Sequence, residues 1–161
     1  MPAALELHVP VAGVAVACGD EVLSAVGLGS CVAVMVHDPV RGIAGMAHVL
    51  LPDTALTRDT GRPGKCANSA VPHLVELMQE AGAGRGLVAR IAGGAAMFAA
   101  LAPGGVNMGE RNADAVRAAL ATAGIPVVGE DVGGEHGRSV YFHVATGVVE
   151  VISLRLGRRV L

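Results

Sequence analysis

The feature that most constrains this chain is a run of alternating valines that ends in a turn. Val32, Val34 and Val36 recur at every second position, Asp38-Pro39 follows, and Ile43 to Leu50 is again apolar. Alternation of this kind marks a strand, because successive side chains leave a pleated backbone on opposite faces. Asp at the first position and Pro at the second suit a type I turn, the usual basis of a four-residue hairpin loop. With Asp38 to Arg41 as that loop, His37 faces Gly42, and counting back along both strands sets Cys31 opposite His48. A thiol and an imidazole would then stand on neighbouring strands. A slip of one residue would send His48 to the other face.

The residues ahead of the cysteine, Gly27-Leu28-Gly29-Ser30, are too rich in glycine for regular structure. Glycines there let backbone N–H groups converge, and around Gly29 and Ser30 such groups could hold the oxyanion of a tetrahedral intermediate. A thiolate is a competent nucleophile, and a nearby imidazole both lowers the thiol pKa and carries a proton to the leaving group. Cys31 with His48 would therefore suit acyl transfer from an amide or ester through a thioester. The same cysteine, within a run of valines, also reads as a small buried hydrophobe.

Composition narrows the classes. Hydrophobic residues make up 52% of the 161 positions but aromatics only 2%, so Val, Ala, Leu and Ile must fill the core. A formal charge of -2 argues against a surface that neutralises phosphates. The one basic cluster, Arg155 with Arg158 and Arg159, reads as a solvated tail. Three cysteines (Cys18, Cys31, Cys66) are an odd number without CxxC spacing, which argues against a disulfide framework and for reduced thiols. Six histidines lack the short paired spacing of a zinc site, so no metal is expected. No cofactor is expected either. Gly27-Leu28-Gly29 lacks the third glycine of a dinucleotide fingerprint and precedes a strand, and no Walker lysine is present. With neither a leader pattern nor a long apolar run, the expected location is cytoplasmic, without membrane insertion.

The remaining pattern is mixed. Residues 5 to 17 read as one or two strands broken at Pro10 and Gly13, and Glu21 to Val26 as another. Pro52 to Lys65 has loop composition. A helix is expected through Val71, Leu74, Val75 and Met78, capped by Asn68 or Ser69, with Pro72 in its first turn and Gly82 at its end. Leu87 to Ile91 reads as a strand, and Ala113 to Ala123 as a second helix capped by Asn112. Ile125 to Val132, Ser139 to Val144 and Val148 to Leu154 complete the strands. This order implies an α+β fold, and the absence of a linker or repeat implies one domain.

Several motifs together resemble one family. They are Gly27 to Val34, Asp38-Pro39, Gly45 to Pro52, Pro63-Gly64-Lys65, Ile91 to Phe98, Asn107 to Asn112 and Glu130 to Gly134, in order over nearly the whole chain. Such a set is similar to the chemoreceptor glutamine deamidases, the CheD family. The resemblance implies a single domain over residues 1–161 with a layered α/β/β sandwich like that of cysteine-dependent toxin deamidases. It implies hydrolysis of glutamine side chains to glutamate and ammonia on the cytoplasmic helices of methyl-accepting chemotaxis receptors, with methylesterase side activity chemically compatible. Residue by residue, Cys31 matches the nucleophile and His48 the general base. The family's threonine, six positions before the cysteine, is Ala25 here. Ser24 is the nearest hydroxyl substitute, but its side chain should point to the opposite face of a strand. The expectation is weaker activity, or a backbone carbonyl or another side chain in the orienting role. The alternative is a binding module that docks on receptors or regulates a CheC-type phosphatase.

Overall fold

With two phenylalanines, one tyrosine and no tryptophan, the chain does not fill one thick core. It builds two thin ones, on either face of a central sheet. The computed structural model describes residues 4–97 and 105–161. It contains strands β1 (Glu6–His8), β2 (Val14–Cys18), β3 (Val22–Leu28), β4 (Val32–Asp38) and β5 (Ile43–Val49), then helix α1 (Ala67–Glu80) and β6 (Val88–Gly93). Helix α2 (Met108–Thr122) follows, then β7 (Val127–Val132), β8 (Arg138–His143), β9 (Val148–Ser153) and β10 (Gly157–Val160). Single 3-10 turns at Thr54–Leu56 and Pro63–Lys65 punctuate the connection from β5 to α1.

Two mixed five-stranded sheets result, ordered β1-β3-β8-β9-β10 and β2-β5-β4-β6-β7. The alternation in β4 explains how the second is used. Val32, Val34 and Val36 face the helices, packing with Val71, Leu74 and Met78 of α1 and Val116 and Leu120 of α2. Ala33 and Met35 face the first sheet and meet Leu23, Ala25, Val140 and Phe142. Every residue of β4 and β5 is buried, as expected of strands covered on both faces. The layers therefore run helices, second sheet, first sheet, and the α+β architecture is as the element order implied.

The hairpin differs from expectation by its register. Asp38 pairs with Ile43 and Ala33 with His48, so the four loop residues are 39 to 42 rather than 38 to 41. Gly42 is the reason. Its φ of +66° belongs to a turn and not to a strand, and its N–H bonds the Asp38 carbonyl at 2.9 Å. The Asp38 carboxylate accepts the Val40 and Arg41 N–H groups at 3.1 Å each, which fixes Asp38 as the last strand residue. The pairing moves by two positions in total, so every side chain keeps its face. Cys31 is thus diagonal to His48 instead of opposite.

Helix caps differ too. Helix α2 begins five residues before the expected start because Asn107, not Asn112, accepts the Glu110 N–H, at 3.0 Å. In α1 the cap position is Cys66, and Pro72 falls beyond the first turn. Of the C-terminal arginines Arg155 is exposed, but Arg158 and Arg159 are not a free tail. They lie on β10, where Arg158 reaches Glu150 at 2.8 Å and Arg159 reaches Asp131 at 3.0 Å.

One consequence is a pH dependence of stability. His37 is 7% exposed and meets Phe142 edge-on, with ring centroids 5.3 Å apart. Burial lowers its pKa below the ordinary 6.5, Arg90 adds to this, and Asp38 opposes it. The unfolded chain therefore takes up a proton more readily than the folded one. Stability is full above about pH 6.5 and falls as pH drops through the window below it. The urea midpoint should be lower at about pH 5.5 than at about pH 7.5; an equal or higher midpoint in acid would contradict this.

Candidate active site

Strand β3 departs from regular pairing between Ala25 and Leu28, and Gly27, at φ +71°, turns the chain toward β4. The Gly29–Cys31 loop that follows is held by its carbonyls. Gly29 accepts the Ala95 N–H at 2.9 Å, Cys31 accepts the Gly94 N–H at 2.8 Å, and Ser30 accepts the Asn112 amide at 2.9 Å. All three carbonyls are thus engaged, whereas the N–H groups of Gly29, Ser30 and Cys31 donate to no carbonyl among the described residues. Gly93 must be glycine here, because a β-carbon at its φ of +113° would overlap the Cys31 carbonyl. Met97 lies over Gly29.

Cys31 is half-buried, immediately before β4, against the core between the sheets. His48 lies on β5 opposite Ala33 and so shares that inter-sheet face. It is 3% exposed. The segment from Val9 to Gly13 surrounds it: Ala12 donates to the His48 carbonyl at 2.8 Å, and the His48 N–H reaches the Gly13 carbonyl at 3.0 Å. Ala12 takes φ +64°, which costs a non-glycine residue about 1–2 kcal/mol. Arg62 holds this turn by donating to the Val11 carbonyl at 3.0 Å, and Gly64 leaves room for the Ala12 carbonyl.

The ring itself is oriented by backbone. His48 Nδ1 lies 3.0 Å from the Val9 carbonyl, which can only accept, so Nδ1 carries the proton and Nε2 keeps its lone pair. Burial lowers the His48 pKa, the Val9 bond opposes this, and His8 adds slightly to the lowering, so the ring is neutral at pH 7. Burial also pushes the Cys31 thiol above its ordinary 9.0, partly offset by its own backbone N–H. No hydrogen bond joins the two side chains among the described residues. The expectation that the imidazole lowers the resting thiol pKa is therefore corrected: desolvation dominates, and the inter-sheet face carries a neutral thiol and a neutral imidazole.

Gly29 and Ser30 lie in the loop leading to Cys31, both half-buried. Ser24 is not brought to this face. Its neighbours Leu23 and Ala25 point into the inter-sheet core, so Ser24 points away from it, opposite Tyr141. Its hydroxyl is buried with no partner among the described residues. The irregularity in β3 begins only after Ala25, too late to turn Ser24 round. Position 25 faces the thiol's layer, but with a methyl group. Phe98, part of one motif, lies outside the described residues. Among the described residues no group of His, Cys, Asp or Glu is placed to hold a metal, and no helix is long and apolar enough to cross a membrane.

Two contributors escaped sequence reading. A carbonyl such as that of Val9 has no residue signature. Asn112 looked like a cap, although Asn107, with Glu110 three residues on, carries the better capping signal.

Fold and site define a class: an α+β protein of helices on paired mixed sheets, with a half-buried thiol and an oriented neutral imidazole on one inter-sheet face. Comparison with known proteins narrows it. The family model for CheD chemotactic sensory transduction matches residues 50–153. The probable chemoreceptor glutamine deamidase CheD of Clostridium novyi is 37% identical over 158 residues, 97% of this chain and 98% of the relative. The corresponding probable deamidase of Desulfitobacterium hafniense is 41% identical over 142 residues, 87% of this chain and 88% of its own. The chemoreceptor glutamine deamidase CheD of Thermotoga maritima is 46% identical over 127 residues, 78% of each chain. This chain belongs to the CheD family.

Proposed function

We propose that this protein hydrolyses glutamine side chains of chemotaxis receptors, on their cytoplasmic helices, with Cys31 as nucleophile and His48 as general base. The observation that carries the reading is the Val9 carbonyl 3.0 Å from His48 Nδ1, which leaves Nε2 as an acceptor on the face that Cys31 shares. A backbone carbonyl thereby supplies the orientation that a hydroxyl at position 25 would give.

Nε2 takes the thiol proton as sulfur adds to the carboxamide carbon, and the carbonyl electron pair moves to oxygen. The N–H groups of Gly29 and Ser30, which have no hydrogen-bond partner among the described residues, receive that oxyanion. Collapse breaks the C–N bond, and the imidazolium proton leaves with ammonia. Water then adds to the thioester, giving up a proton to His48, and the second collapse returns the thiol and releases glutamate. A glutamate methyl ester presents the same acyl carbon and a better leaving group, so methylesterase side activity follows from the same residues. The test is a receptor fragment incubated with wild type and with Cys31→Ala, read by mass spectrometry. Wild type should add about one dalton per modified glutamine and Cys31→Ala none; equal modification by both ends the proposal.

The second reading, a module that docks on receptors or on a CheC-type phosphatase, is favoured by Ala25 and by the high thiol pKa. Copurification with a phosphatase in the absence of any deamidation would select it.

A further inference from the structure

Where β4 and β5 stop pairing, the Cys31 loop and the end of the His48 strand have no ladder bond between them. Val32 and Val49 form the last pair, and Leu50 then turns away to bond the Lys65 carbonyl at 2.9 Å. The gap is bridged from outside the hairpin. Asn112, fully buried on α2, donates its side-chain amide to Ser30 at 2.9 Å and to Leu50 at 3.0 Å. Ser30 directly precedes the nucleophile, and Leu50 lies two residues beyond the base.

We propose that Asn112 is a positioning residue for the deamidation, an inference that rests on the reading above: it holds the Cys31 loop against the His48 strand at the distance proton transfer needs. Its chemistry is otherwise hard to explain. The position lies inside a helix capped by Asn107, next to the apolar stripe of Ala113, Val116 and Leu120. A buried carboxamide there carries a desolvation penalty. Both bonds go out through the NH2 group, while Oδ1 is buried with no partner among the described residues. The donors alone therefore account for an amide here. Gly109, one turn earlier, presses its backbone against the Gly94 and Ala95 carbonyls, so the helix that delivers the amide is registered on the same segment that holds Cys31.

The experiment compares wild type, Asn112→Ala, Asn112→Ser and Leu120→Ala on a receptor fragment, with kcat expressed per folded molecule. Leu120→Ala removes buried packing from the same helix without touching either carbonyl. A small displacement of reacting groups costs up to about a hundredfold, so Asn112→Ala should lower kcat about tenfold or more with KM within about twofold. Its pH profile should change as well. Wild type should level off near neutrality, whereas the variant, with sulfur out of reach of Nε2, should keep rising in alkali as free thiolate forms. Asn112→Ser keeps one donor and should fall between, and it carries the test if the alanine variant does not fold. The proposal is overturned if the folded Asn112 variants keep wild-type kcat and profile, or lose no more than Leu120→Ala. Failure of the deamidase reading would show differently, as wild type that does not deamidate or Cys31→Ala that does.

Discussion

His48→Gln is expected to lower kcat for glutamine deamidation about 10²–10⁴-fold, the usual contribution of a positioned general base, while the protein stays folded. Both halves of the expectation come from the site. Glutamine is polar and of similar length, so the buried position opposite Ala33 keeps a hydrogen-bonding side chain, but no basic lone pair replaces Nε2. The pH dependence supplies the sharper sign. In wild type the base is neutral above a pKa that burial holds below 6.5, so kcat/KM should rise through that acid region and be flat near neutrality. Without the base, attack needs a thiol ionised on its own, and burial holds the Cys31 pKa above 9.0. The residual rate of His48→Gln should therefore climb throughout the alkaline range, as should alkylation of Cys31 by iodoacetamide. An unchanged kcat, or the same pH profile in both proteins, would remove His48 from the mechanism.

Asp131→Ala is expected to cost about 3–5 kcal/mol of stability, the range for leaving one member of a buried ion pair without its partner. Arg138 Nη1 lies 2.6 Å from Asp131 Oδ1, with the two side chains 1% and 5% exposed. The same guanidinium donates to the carbonyls of Asp131, Gly133 and His136, while Arg159 approaches the other carboxylate oxygen at 3.0 Å. Removing the carboxylate strands Arg138 in a low-dielectric setting with carbonyls alone. The pair also links the sheets, since β7 belongs to the second and β8 to the first. Between them, Gly133 donates to the Gly93 carbonyl at 3.0 Å and Gly134 accepts from Ala96 at 2.8 Å, next to the residues that hold the Cys31 loop. Urea unfolding at low temperature measures the loss, and a change under about 1 kcal/mol would mean the pair does not staple the sheets. Replacing Asp131 and Arg138 together by apolar residues should recover much of the loss, because the desolvation penalty disappears with the charge.

Much of this protein was legible before any coordinates. Period-two valines from Val32 to Val36, the Asp38-Pro39 turn and the glycines ahead of Cys31 each act over a few residues, so they specified the hairpin and the turn into it. The ordered motifs pointed to the CheD family. The expected cap at Asn112 failed because two asparagines compete for one role, and the winner was the one whose side chain could meet the Glu110 N–H. Arg158 and Arg159 failed as a tail because their carboxylate partners, Glu150 and Asp131, come from other strands.

By itself the sequence determined which side chains alternate, where the chain turns and which atoms could do chemistry. Only the tertiary structure decided how those atoms are aimed. The carbonyl that orients His48 comes from Val9, 39 residues away, and the amide that closes the gap at Ser30 comes from a helix 82 residues on. Every residue carries a backbone carbonyl, so none is marked in the sequence as the one a histidine will meet. That choice is made by packing, when the two sheets close and the turn at Pro10 to Gly13 folds over β5.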